Sequence, residues 1–171
     1  GMQKLMQHLF DLGHRQIGLL NGPASVSTAV ERAAGFSRAL RENGVAVPEV
    51  YAGVFTQDSG YAMTCRALSQ PLRPTALIAA NNFLAIGALK AIHAARLEAP
   101  EDIAIAAFDD LPPAMVVDPF LTAAVQPAYE MGRRAAELLL GRLAGTETGP
   151  AREILLPVEL VVRHSSGVGL G

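Results

Sequence analysis

Residues 103 to 115 read IAIAAFDDLPPAM, an apolar run that ends on two consecutive carboxylates, Asp109 and Asp110, and a proline pair. Adjacent acids raise acid/base catalysis, a metal site, a polar grip on a ligand, or the wet end of a buried strand. Geometry weighs against a catalytic pair: successive side chains of a strand point to opposite faces, so neighbours cannot share a proton while strand geometry lasts. One acid then faces a crevice at the strand end, and the other tethers the loop that starts at Pro112. Register favours Asp109 for the crevice and Asp110 for the loop.

Four further side chains stand at comparable places. Asn81 closes the apolar run TALIAA (75 to 80) and opens a helix, where its amide either serves ligand hydroxyls or caps the helix. Arg32 lies near a helix start, where its fork could hold a carboxylate or a pair of hydroxyls, although by its neighbours alone a solvated arginine beside Glu31 is the better reading. Phe55 follows a strand directly, placed either to stack on a ring face or to join the core. Gln126 precedes Pro127 where the chain must turn, as a hinge contact or a plain strand end.

Other chemistry has no footing. NGPAS after the first apolar run lacks the repeated glycines and the lysine of phosphate-binding loops. Ser25, Ser27 and Thr28 do not form a nucleophile elbow, and His8, His14, His93 and His164 are scattered without ligand spacing. His14, beside Arg15, reads as a turn or surface residue. No catalytic residue, metal site or cofactor is expected.

The elements that position these residues alternate. QIGLLNG (16 to 22), VYAGVF (50 to 55), TALIAA, IAIAAF and LTAAVQ (121 to 126) read as strands. Between them run amphipathic helices. One has Ala29, Val30, Ala33, Phe36 and Leu40 inward and Asn43-Gly44 as its stop. A second, through Leu68, is capped by Asp58 or Ser59 and followed by Pro71 and Pro74. A third carries Ala85, Leu89, Ile92 and Arg96 along one face. A fourth, EMGRRAAELLLGRLAG (130 to 145), has Ala135, Leu139 and Leu143 inward and Gly145 past its end. In the tail ILLPVELVVRH, Pro157 interrupts β-branched residues, as in an edge or sheet-switching strand. The pattern predicts an α/β fold of three layers, a mostly parallel sheet with helices on both faces. Ligands of such sheets bind beyond the carboxyl ends of the strands.

The chain has 171 residues, half of them hydrophobic, enough for one domain with a substantial core. A net charge of −2 supplies no basic stripe, so this segment by itself is a poor nucleic-acid binder. A single cysteine, Cys65, excludes an internal disulfide and a cysteine-built zinc site and fits a reducing compartment. No signal peptide or membrane-length apolar run is read, so a cytoplasmic protein without membrane contact is expected.

Seven segments in order, LGHRQIGLLNGP, ERAAGFSRALRENG, FTQDSGYAM, PTALIAANNFLAIGALKAI, PEDIAIAAFDDLP, PFLTAAVQPAYEMGRRAAELLLGRL and ILLPVELVVRHSSG, resemble the effector-binding region of the LacI/GalR family of bacterial transcriptional regulators. The resemblance implies a lobe like that of type I periplasmic sugar-binding proteins. Residues 2–126 would form the second lobe, 127–156 a helix and strand that cross to the first lobe, and 157–171 a C-terminal strand and tail. It implies a sugar-like small-molecule effector, a homodimer, and DNA contact only through a helix-turn-helix headpiece outside this chain. It also implies that Arg32, Thr28, Phe55, Asn81, Asp109 and Gln126 line the ligand site. Asn82 departs from the family, which usually has Asp there, and Ala24 and Val26 make the first loop more apolar than in sugar-specific relatives. The competing readings are a periplasmic sugar-binding protein of a transporter and, less in keeping with the strand geometry, an enzyme using Asp109 and Asp110.

Overall fold

The most apolar segments are the strands, and they lie innermost. The computed structural model describes residues 1–46, 50–111 and 119–167. Strands β1 (Ile17–Asn21), β3 (Ala76–Ala79) and β4 (Ala104–Phe108) are buried at every residue, as continuous apolar strands covered on both faces must be. With β2 (Val50–Ala52), β5 (Thr122–Val125) and β6 (Glu159–Val161) they form one sheet in the order β2-β1-β3-β4-β5-β6. All pairs are parallel except β5 with β6. The three-layer α/β expectation holds, and the strand after Pro157 is indeed an edge strand.

Helices α1 (Met2–Asp11) and α2 (Ser27–Glu42) pack together, as do α3 (Gln57–Leu68) and α4 (Asn82–Ala94). Right-handed crossovers put α2 on one face of the sheet and α3 and α4 on the other. Alanines fill much of β4 and β5. Helices α3 and α4 meet backbone to backbone. A Cβ on Gly60 would lie 2.4 Å from the Leu84 carbonyl oxygen, and one on Gly87 would lie 2.0 Å from that of Gln57. Only glycine fits at either position.

Several local expectations change. On α2 the buried stripe is Ala29, Phe36, Ala39 and Leu40, whereas Val30 is 51% exposed because it stands a helical step of about 100° beyond Ala29. The α2 stop is as expected, with Gly44 at φ +67°. The α3 cap is Thr56, whose hydroxyl accepts from the Ser59 amide at 3.3 Å; neither Asp58 nor Ser59 takes that role. VYAGVF leaves the sheet at Ala52, and Arg96 lies past the end of α4 in the left-handed region, exposed rather than on the packed face.

The largest correction concerns α5 (Ala128–Leu143). It has no buried residue: Leu139 and Leu143 are 59% and 77% exposed, Ala135 is exposed, and the inward face expected for them has nothing to point into. Amphipathic spacing records that a face must be covered, but not by which part of the protein. Gly145, at φ +73°, does follow its end.

Candidate functional site

The six candidate residues gather beyond the carboxyl ends of β1 to β5: Phe55, Asn81, Asp109 and Gln126 on the turns that leave β2, β3, β4 and β5, and Thr28 and Arg32 in the first half of α2, which follows β1. That placement comes from the βα topology itself. Within this rim the structure draws three of them together. Arg32, in the first half of α2, reaches across to donate to the Ala80 carbonyl at 2.5 Å, lies over the Phe108 ring at 4.5 Å, and faces Asp109 Oδ2 at 3.9 Å. Asp109 Oδ1 accepts from the Gln126 side-chain amide at 2.6 Å. Burial pushes the Arg32 guanidinium below its ordinary value, and the charges of Asp109 and Glu31 oppose that shift.

Asp109 and Asp110 do separate, but not by strand alternation. Strand geometry ends at Phe108, and Asp109 turns into the left-handed region at φ +64°, its amide still donating to the Ala124 carbonyl at 3.0 Å. Asp and Asn are among the few non-glycine residues that tolerate this region. The turn aims Asp109 at Arg32 and Gln126. Asp110 instead receives both guanidinium Nη atoms of Arg163, at 2.9 and 2.6 Å, and its own Oδ1 accepts from the Leu111 amide at 2.8 Å. The proline loop it was expected to brace lies outside the described residues from Pro112 onward. What Asp110 grips is the C-terminal tail.

Asn81 behaves as a helix cap: its Oδ1 accepts from the Leu84 amide at 2.9 Å. It adjoins the Arg32 group through Ala80. Phe55 is half-buried and packs on the core, so close to the first turn that a Cβ on Gly22 would fall 2.2 Å from its ring. Thr28 is exposed in the first turn of α2. Among the described residues neither Phe55 nor Thr28 is bonded to the Arg32, Asp109 and Gln126 group.

The 3.9 Å between Arg32 and Asp109 is too long for a hydrogen bond. The two therefore meet as a long ion pair, and the donor and acceptor positions it leaves unused suit a ligand presenting hydroxyls or a polar ring edge. Beside it, Asp109, Asp110, Leu111, Val125, Gln126, Ala128 and Met131 line an open hollow of about 440 Å³, floored mainly by apolar atoms.

Three residues of this rim escaped the sequence reading as contributors. Phe108 reads in the sequence only as a last strand residue, whereas its ring lies under Arg32. Asn82 was seen only as a lost charge, yet its amide donates to the Asp110 carbonyl at 3.0 Å, a bond that aspartate could not make. Arg163 had no local signal, being 53 positions from its partner. His14 is half-buried in its turn and shares a hydrogen bond with Thr75.

A family model described as a periplasmic binding protein-like domain matches residues 6–166. The chain is 34% identical over 165 residues to the HTH-type transcriptional repressor PurR of Escherichia coli O139:H28, covering 95% of this chain and 48% of that protein. Among solved structures it is similar to the transcriptional regulator CelR in complex with cellobiose, at a TM-score of 0.89 and 35% identity over 96% of this chain and 51% of that one. It is similar also to the lac repressor dimer bound to operator and the anti-inducer ONPF, at a TM-score of 0.86 and 32% identity over 97% and 50%. The chain thus spans about half the length of the relatives it matches.

Proposed function

The chain belongs to the periplasmic binding protein-like domain family and is homologous to the repressors of the LacI family, and from that premise we propose that it is the effector-sensing part of a bacterial transcriptional regulator. A small, sugar-like metabolite binds at the strand-end rim. Arg32 and Asp109 grip its hydroxyls or polar edges, Gln126 orients Asp109, Phe55 offers a ring face, and Thr28 and Asn81 edge the crevice. No bond chemistry is involved.

The observation that carries this reading is the Arg32, Asp109 and Gln126 group, assembled from helix α2 and from the ends of β4 and β5 into one half-buried polar cluster beside an open hollow. Residues 2–126 supply one lobe. The helix and following segment, 127–156, cross to the first lobe, outside this chain, and the exposure of Leu139, Leu140 and Leu143 supports that reading as a face built for cover. Effector binding draws the lobes together and thereby shifts the affinity of a helix-turn-helix headpiece, also outside these residues, for its operator. The regulator works in the cytoplasm as a homodimer, with Tyr61 and Phe83, exposed on α3 and α4, in the subunit contact.

Calorimetry of the full-length regulator against pentoses, hexoses, cellobiose and purines tests the site. Asp109→Asn and Arg32→Ala each weaken binding of the active compound by roughly tenfold or more, as expected for a lost charge-assisted hydrogen bond. Unchanged affinity in both variants refutes the assignment.

A further inference from the structure

Arg163 ties the two ends of the segment between β4 and β5 to one point. Its Nη1 donates to Asp110 Oδ1 at 2.9 Å and to the Leu121 carbonyl at 2.5 Å, while Nη2 donates to Asp110 Oδ2 at 2.6 Å. This use of a planar fork on a carboxylate is one that lysine cannot reproduce. The backbone of Arg163 is itself anchored: its amide donates to the Thr122 hydroxyl at 2.9 Å. Two residues on, the buried Ser165 hydroxyl accepts from the Thr122 amide at 2.8 Å and donates to the Ile105 carbonyl at 2.6 Å. The tail is therefore stitched to β4 and β5 before its guanidinium reaches Asp110.

Asn82 holds Asp110 from the opposite side, donating to its carbonyl at 3.0 Å. Asp110 is thus fixed at carboxylate and carbonyl by two elements remote in sequence. The residue before it is Asp109, at φ +64°, a conformation that aspartate tolerates but that costs more than the right-handed one, so neighbouring contacts decide whether it is kept.

We propose that Arg163 and Asn82 are positioning residues of the effector crevice: by clamping Asp110 they hold Asp109 in its left-handed turn, with its carboxylate toward Arg32 and Gln126. Neither residue touches the Asp109 carboxylate. The proposal takes the role of Asp109 from the effector reading, yet the clamp is measurable without an effector.

The test is amide hydrogen exchange by NMR on the 171-residue chain carrying Arg163→Gln, Arg163→Lys or Asn82→Asp. In Arg163→Gln the Asp109 amide exchanges about tenfold faster and the Gln126 side-chain amide resonances move, while the Ile78 amide at the sheet centre keeps its rate. Arg163→Lys restores part of the protection, and Asn82→Asp gives a smaller acceleration at Asp109. Equal acceleration at Ile78 and Asp109 reveals a merely structural contact, and no change at Asp109 refutes the clamp outright. Should Arg163→Gln not fold, Asn82→Asp decides the matter on the same two amides. A parallel titration with ribose, cellobiose and hypoxanthine separates the two claims. Resonances of Asp109 unmoved by all three count against the effector reading, whereas the exchange pattern alone decides the clamp.

Discussion

The four-helix lobe around β1 to β4 and the α5 arm are written in the same apolar alphabet and meet opposite fates. On the lobe, Leu19, Leu77, Ile78 and Phe36 are wholly buried; on α5, Tyr129 is 86% exposed and Leu143 77%. The arm compensates along its surface rather than beneath it. Arg133 and Arg134 both bond Glu130, whose carboxyl these hydrogen bonds hold down to about 2, and Arg133 also pairs with Glu137. Such exposed pairs keep a helix wound without anchoring it. The lobe is held by what lies under its helices, the arm by what lies along it.

Removing core volume separates the regions most sharply. Leu19→Ala is expected to lower the unfolding free energy by roughly 2–5 kcal/mol, read from the denaturant midpoint, because the dense sheet leaves little room to collapse around the void. A loss below ~1 kcal/mol would mean that the lobe is packed no better than the arm.

A smaller effect follows from pH, and it is confined to the lobe. Burial pushes the imidazoles of His8 and His14 below their ordinary value of 6.5, and His8 shares a 2.8 Å hydrogen bond with Ser166. Folding therefore favours the neutral rings. The stability they contribute is complete above pH ~6.5 and is lost as pH falls through the depressed folded values, because the unfolded chain takes up protons first. The melting temperature is expected to fall between pH 7.5 and 5.5, and replacing His8 by Gln removes part of that slope. An identical slope in the variant excludes His8 as its source.

The smallest change marks the arm. Leu139→Ala is expected to shift the unfolding free energy of this chain by no more than ~0.5 kcal/mol in the same denaturant measurement. A loss comparable to that of Leu19→Ala would place α5 in the core after all.

How far the sequence reveals these differences depends on the range of the interaction. Strands and helices were legible because hydrophobic period is local, and the rim was legible because a βα alternation puts candidate ligand residues where strands end. Arg32, Asp109 and Gln126 indeed meet there. The cap at Thr56 was overlooked because Thr56, Asp58 and Ser59 are all good capping residues and only the chain path chooses among them. The left-handed turn at Asp109 and the grip of Arg163 on Asp110 depend on pairings distant in sequence, which no window contains. The inward face assigned to α5 failed for a related reason: a periodic pattern is silent about the identity of its cover.

The glycine crossing of α3 and α4 sets a measure for the crevice. Phe55 stands just before α3 and Asn81 caps α4, while Gly60 against the Leu84 carbonyl and Gly87 against that of Gln57 bring the two backbones into direct contact. The helix starts that follow Phe55 and Asn81 are thereby held to one another. In the proposed effector site this side is the fixed wall, and adjustment to a larger or smaller effector is expected to fall to the opposite one.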